Sequence, residues 1–153
     1  MKRSKLVNFF RDYSLYLAWI VSLIAVAGSL IFSEVMEFIP CKLCWIQRIF
    51  MYPLVILLGI ACYRNDRNII VYSLPLSIIG GGYSLFHYLE QKVPGLAKVL
   101  PCSQGVPCNV DYIDWLGFIT IPFLALIAFT MITLFLWMGR KHQSIVIEET
   151  HES

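Results

Sequence analysis

Charge is what this chain has least of. Only 14% of its 153 residues are Asp, Glu, Lys or Arg, against 58% hydrophobic, and the mean hydropathy is +0.70. A soluble domain of this length needs far more polar surface, so an ordinary water-soluble fold is excluded and membrane residence is the first inference. The net charge of +2 is too small to hold a polyanion, so no nucleic-acid partner is expected. Internal repeats and low-complexity tracts are also missing, and the polar segment Arg64–Asn68 is too short to be a domain. These absences leave one domain over residues 1–153.

What is present is a set of long apolar runs. Tyr13–Ser33, Ile69–Leu89 and Trp115–Met138 carry no charged residue, and Leu43–Tyr63 carries one, Arg48. A bilayer needs about 20 apolar residues per helical crossing. The expected fold is therefore an all-α membrane protein, a four-helix transmembrane bundle with helices at 13–33, 43–63, 69–89 and 115–138. The first run contains Ala25–Val26–Ala27, which looks like a signal-peptidase site, but the apolar stretch continues through Phe32 and reads as an uncleaved helix.

Orientation follows from Lys and Arg. Lys2, Arg3, Lys5, Arg11, Arg64, Arg67, Arg140 and Lys141 fall on one side. Lys42, Lys92 and Lys98 fall on the other, offset by Glu34, Glu37, Glu90, Asp111 and Asp114. Both termini are thus expected to be cytoplasmic, with outer loops at 34–42 and 90–114.

That topology sorts the cysteines. Cys41, Cys44, Cys102 and Cys108 fall on the outer face, where disulfides form and persist. Four cysteines allow three pairings, and the short separations favour Cys41–Cys44 and Cys102–Cys108. Cys62, near the cytoplasmic end of the second helix, reads as a small hydrophobe.

In "PCKLCWIQR", Pro40 suits the first turn of a helix, which puts Cys41 and Cys44 in its N-terminal turn and on one face. A helix N-terminus favours the thiolate, the nucleophile of thiol–disulfide exchange. Two other readings exist: a structural staple, or half of a four-cysteine zinc site completed by Cys102 and Cys108. Arg48, one turn beyond Cys44, separates them. Arg at mid-membrane costs about 2.5–3.5 kcal/mol on insertion scales. Snorkelling to the outer interface is the plain account of it. A zinc site gains nothing from a cation, whereas a quinone carbonyl accepts its hydrogen bonds. Gln47 is a further candidate donor, or a polar residue at the interface. Trp45 reads as part of the aromatic belt. His87 reads first as an interfacial polar residue and second as a lining residue of a quinone pocket.

The second outer loop carries "LPCSQGVPCNVDYIDWLG". Cys102 and Cys108 enclose five residues, including Gly105 and Pro107, which makes a local disulfide geometrically reasonable. Pro53, Pro75 and Pro122 read as helix-interior prolines tolerated in a bundle, Gly80–Gly82 as a close helix contact, and "EETHES" as a solvated tail.

Taken together, these residues resemble the DsbB family of membrane thiol–disulfide oxidoreductases, and most closely its short BdbC-type branch. The likeness covers nearly the whole chain: four helices, "PCKLCWIQR" opening the second, a cysteine pair in the second outer loop, and "DWLGFITIPF" entering the fourth. The resemblance implies that the Cys102–Cys108 disulfide oxidises a soluble or anchored thioredoxin-like thiol oxidase of DsbA/BdbD type, with Cys102 forming the mixed disulfide. It implies that electrons pass to the Cys41–Cys44 disulfide through a transient Cys41–Cys108 link. Cys44 then hands them to a quinone, menaquinone or ubiquinone, which Arg48 contacts. It also implies residence in the bacterial cytoplasmic membrane and no metal. The five-residue gap between the second-loop cysteines is that of the short branch; many members have a much longer one. The vitamin K epoxide reductase family uses similar chemistry but places its CxxC late in the bundle, whereas here it opens the second helix.

Overall fold

A computed structural model describes residues 9, 13–37, 39–93 and 120–151 of the chain. Helix α1 spans Ser14–Leu30 and continues as a π-helical turn, Ile31–Val35. Helix α2 spans Lys42–Arg64, a short 3₁₀ turn covers Arg67–Ile69, and α3 follows directly at Ile70–Lys92. Helix α4 spans Ile121–His151. No strand occurs among the described residues. Four segments are long and apolar enough to cross a membrane: Ser14–Val35, Lys42–Arg64, Arg67–Lys92 and Ile121–Arg140.

Local chemistry sets the helix ends. Cys41 is the N-cap of α2, extended at φ −69° and ψ 171°, and its sulfur accepts the Cys44 N–H at 3.4 Å. Pro40 therefore lies one residue before the cap rather than in the first turn. Asn65 ends α2 in the left-handed conformation, φ 51°, which Asn tolerates better than most residues. Asp66 then caps the 3₁₀ turn by accepting the Asn68 N–H at 2.9 Å. One expectation from the sequence is corrected: residues 90–92 belong to α3 and not to a loop. Helix α4 itself runs on to His151.

The helices form a ring in which each packs on its sequence neighbours and α4 closes back onto α1. Leu15 and Ala18 of α1, Leu54 and Leu58 of α2, and Phe129, Ile132 and Leu136 of α4 are buried at the centre. Isoleucines such as Ile49 and Ile56 face outward, as a lipid-exposed surface allows. The inward stripe of α3 is the reverse of a soluble helix: Ser73, Ser77, Gly80, Ser84 and His87 are buried while Val71, Ile78 and Ile79 are exposed. Small residues let backbones approach, which is how helices associate where lipid removes the hydrophobic drive. Gly80 is the tightest case, since a Cβ there would collide with the Phe129 ring. Of its neighbours, Gly81 makes ordinary contact with Phe129 and Gly82 faces open space.

Candidate functional site

The N-terminus of α2, the C-terminal end of α3, the last turns of α1 and the start of α4 meet at one end of the bundle. Cys41 and Cys44 lie there as free thiols, Cys41 buried and Cys44 half-buried, with their sulfurs 3.0 Å apart. A disulfide needs about 2.05 Å, so roughly 1 Å of approach, together with removal of two electrons and two protons by an acceptor, separates the dithiol from the disulfide. The cap position explains the geometry: residues three apart in the first turn share a face.

His87 of α3 completes this group. It is 1% exposed, its Nδ1 is 3.1 Å from Gln47 Nε2, and its Nε2 is 3.6 Å from Cys41 Sγ. An amide nitrogen only donates, so Gln47 donates to Nδ1 and the ring proton sits on Nε2, facing the sulfur. Gln47, His87 and Cys41 thus form a directed chain of donors. The Cys41 thiol is lowered from 9.0 to about 4. The largest cause is the hydrogen bond from the Cys44 thiol; His87 and the Cys44 N–H add to it, and burial opposes it. His87 and Gln47 are both buried and face each other between α2 and α3.

Arg48 is tied across to α1. Its Nε donates to Ser29 Oγ at 2.9 Å and its Nη2 to the Ser29 carbonyl at 3.0 Å, while the guanidinium lies 5.4 Å from the Trp45 ring centroid. Two bonds leave donors to spare on a group with five N–H. The anchoring partner sits at the last turn before the π-helical segment, and such turns are frequent at functional sites.

These residues border a cavity of about 500 Å³. Val21, Ile24, Met51 and Leu124 give it an apolar wall, and Cys44, Arg48 and Thr120 are among its polar positions. That volume and a mostly apolar lining with a few polar groups suit a small organic ligand.

The sequence reading named Cys41, Cys44, Gln47, Arg48 and His87, and the structure brings all five together. Cys102 and Cys108 lie outside the described residues, so the second cysteine pair and the zinc alternative that needs it do too. Cys62 is buried among the apolar residues of the core, far along α2 from the pair. Three residues were missed. Ser29 pairs with Arg48 from another helix, and no local signal marks it. Thr120 lines the cavity at the start of α4. Glu90 was counted as an outer-loop charge, yet it is 3% exposed with no hydrogen-bond partner for Oε2; its spacing of three from His87 was the available clue.

Comparison with known proteins agrees with this arrangement. Residues 11–139 match the family model "Disulfide bond formation protein DsbB". The chain is 57% identical over 130 residues to disulfide bond formation protein C of Bacillus subtilis (strain 168), covering 85% of this chain and 94% of that one. It is 53% identical over 122 residues to probable disulfide formation protein C 1 of Bacillus anthracis, covering 80% and 88%. It is 46% identical over 130 residues to the probable disulfide formation protein of Coxiella burnetii (strain CbuK_Q154), covering 84% and 88%. No solved structure gives a significant match. With a dithiol at the head of a membrane-spanning helix and a family match over most of its length, the chain belongs to the DsbB family, in its BdbC-type branch, and is a multi-pass membrane oxidoreductase of disulfide bond formation.

Proposed function

We propose that this protein reoxidises a thioredoxin-like thiol oxidase of DsbA/BdbD type and passes the electrons through Cys102–Cys108 and Cys41–Cys44 to a membrane quinone, menaquinone or ubiquinone. The observation that carries this reading is the shared wall: Cys44 and Arg48 border one apolar cavity of about 500 Å³. The distribution of Lys and Arg supports an orientation with Cys41 and Cys44 on the outer side of the bacterial cytoplasmic membrane.

The residues present fit a quinone headgroup. The apolar wall suits a lipid-soluble ring, and Arg48 has spare donors for a carbonyl oxygen. Bound there, a quinone supplies an acceptor for two electrons and two protons. The chain's own groups prepare the dithiol. The Cys44 S–H, the Cys44 N–H and His87 Nε2–H all point their donor character at Cys41, which holds it as a thiolate. In this direction of flow the incoming group is a thiolate and Cys41 is the sulfur it attacks. A stabilised Cys41 thiolate then leaves readily when the transient Cys41–Cys108 link resolves, and it closes the Cys41–Cys44 bond as Cys44 gives up two electrons to the acceptor. Arg48, fixed by Ser29 and Trp45, holds a positive charge beside Cys44.

The test is an anaerobic assay of the purified protein in detergent, with a reduced thioredoxin-like oxidase and a soluble quinone analogue, read by quinone absorbance. Loss of oxidised quinone that requires both proteins and each of Cys41, Cys44, Cys102 and Cys108 is expected. No loss, with the protein folded and its disulfides formed, overturns the reading and returns attention to a structural or zinc-binding role.

A further inference from the structure

Thr120 has an unusual position. Its carbonyl accepts the Leu124 N–H at 3.1 Å, which makes it the N-cap residue of α4. A threonine at this position ordinarily turns its hydroxyl back to accept an N–H of the second or third helical residue. Here the second is Pro122, which has no N–H to give, and the hydroxyl makes no such bond. The side chain is 1% exposed, its Oγ1 has no hydrogen-bond partner, and the residue lines the cavity shared by Cys44 and Arg48. A buried hydroxyl without a partner costs free energy that folding alone does not repay. Valine would fill the same volume without that cost.

The surrounding field gives the position a sign. The first N–H groups of a helix lack partners inside it, and the aligned peptides place partial positive charge at that end. Helix α4 is 31 residues long, and its N-terminus abuts the cavity through Thr120, Ile121 and Pro122. An oxygen that carries or develops negative charge is favoured there.

We propose that Thr120 is a second anchor for the quinone headgroup: rotation about χ1 turns its buried, unpartnered hydroxyl to donate to a carbonyl oxygen, while the N-terminal end of α4 favours negative charge on that oxygen. The ligand class is a para-quinone, which offers a hydrogen-bond acceptor at each end of its ring and so engages two polar positions of one cavity. A hydroxyl donates to a carbonyl and accepts from a hydroxyl, so Thr120 can take either role toward the oxidised and the reduced ring, whereas a guanidinium can only donate. This inference rests on the quinone reading of the cavity given above.

The experiment is equilibrium binding of a short-chain soluble quinone to the full-length protein in detergent, with its disulfides formed and no thiol partner present. Quenching of tryptophan emission reports it, because Trp45 stacks on the cavity residue Arg48. Thr120→Val is expected to bind about three- to tenfold more weakly, the loss of one hydrogen bond, and Thr120→Ser to stay within about twofold of the parent. Without quinone, Thr120→Val should melt at the parent temperature or above it, because an unpartnered hydroxyl has been removed. Unchanged binding by Thr120→Val overturns the assignment and leaves the quinone reading intact: the hydroxyl then stays buried without a ligand partner. Failure of the parent protein to bind any quinone overturns both. If Thr120→Val does not fold, Thr120→Ala removes the same hydroxyl and is read in the same way.

Discussion

The low value of Cys41 makes a prediction whose obvious readout is misleading. Cys44→Ala removes the largest cause of the depression while keeping the Cys44 N–H, so the Cys41 thiol should rise from about 4 toward 9.0. Complete recovery would leave about 1% thiolate at pH 7. Nucleophilicity per thiolate, however, rises with basicity at a Brønsted slope of about 0.4–0.5, so a five-unit rise makes each thiolate roughly a hundredfold more reactive. The two factors cancel near neutrality. The shift shows away from it: at pH 5 the variant should be alkylated roughly a hundredfold more slowly than the parent, and near pH 9 it should be tens of times faster. The assay is iodoacetamide labelling of the reduced protein from about pH 4 to 10, with Cys41 adducts assigned by mass spectrometry and with Cys62, Cys102 and Cys108 replaced by Ala throughout. Cys44→Ser, whose hydroxyl still donates, should lie between. A Cys44→Ala profile with its midpoint still near 4 would refute the hydrogen-bond account and leave the helix N-terminus and His87 as sufficient causes.

Four further outcomes are expected. Ionised Cys41 stabilises the reduced fold fully above pH 9 and progressively less as pH falls toward about 4; the melting temperature of the reduced protein should therefore fall more steeply over that range than that of Cys41→Ala. Arg48→His should raise the quinone concentration needed for half-maximal rate about tenfold or more with little change in the response to the thiol partner, and an unchanged quinone dependence in steady-state kinetics would remove Arg48 from the site. Gly80→Ala forces a methyl into the Phe129 ring and should cost about 1–3 kcal/mol, visible as a lower unfolding temperature that Phe129→Leu partly restores. Cys62→Ser should leave the partner-driven exchange rate unchanged, because Cys62 lies in the core away from the pair.

The crossings were legible because lipid demands long charge-free windows, and few other folds produce four of them in 153 residues. The Cys41–Cys44 turn was legible too, since proline marks a helix start, although Pro40 lies one residue before the cap rather than in the first turn. The burial of His87 was legible only as the second of two readings, a residue lining a pocket. A lone polar residue in an oily helix was assigned to the interface, as it would be if hydrophobic residues pointed inward. In α3 the packing face is the small, polar one, and His87 continues the Ser77, Gly80, Ser84 register at helical spacing. Reading that stripe as the inner face would have placed both His87 and Glu90 inside. The Ser29–Arg48 contact is different in kind. It joins residues 19 apart on separate helices, and nothing local to either predicts the pairing.

The way α4 closes the ring has a consequence for biosynthesis. Residues of α4, Thr120 and Leu124 among them, form part of the cavity wall, while the dithiol and Arg48 belong to α2 and emerge from the ribosome much earlier. A nascent chain that has inserted α1 to α3 already displays Cys41 and Cys44, yet the cavity beside them has only three of its sides. The cavity wall is thus complete only after α4 has joined the bundle, well after the dithiol itself has been made.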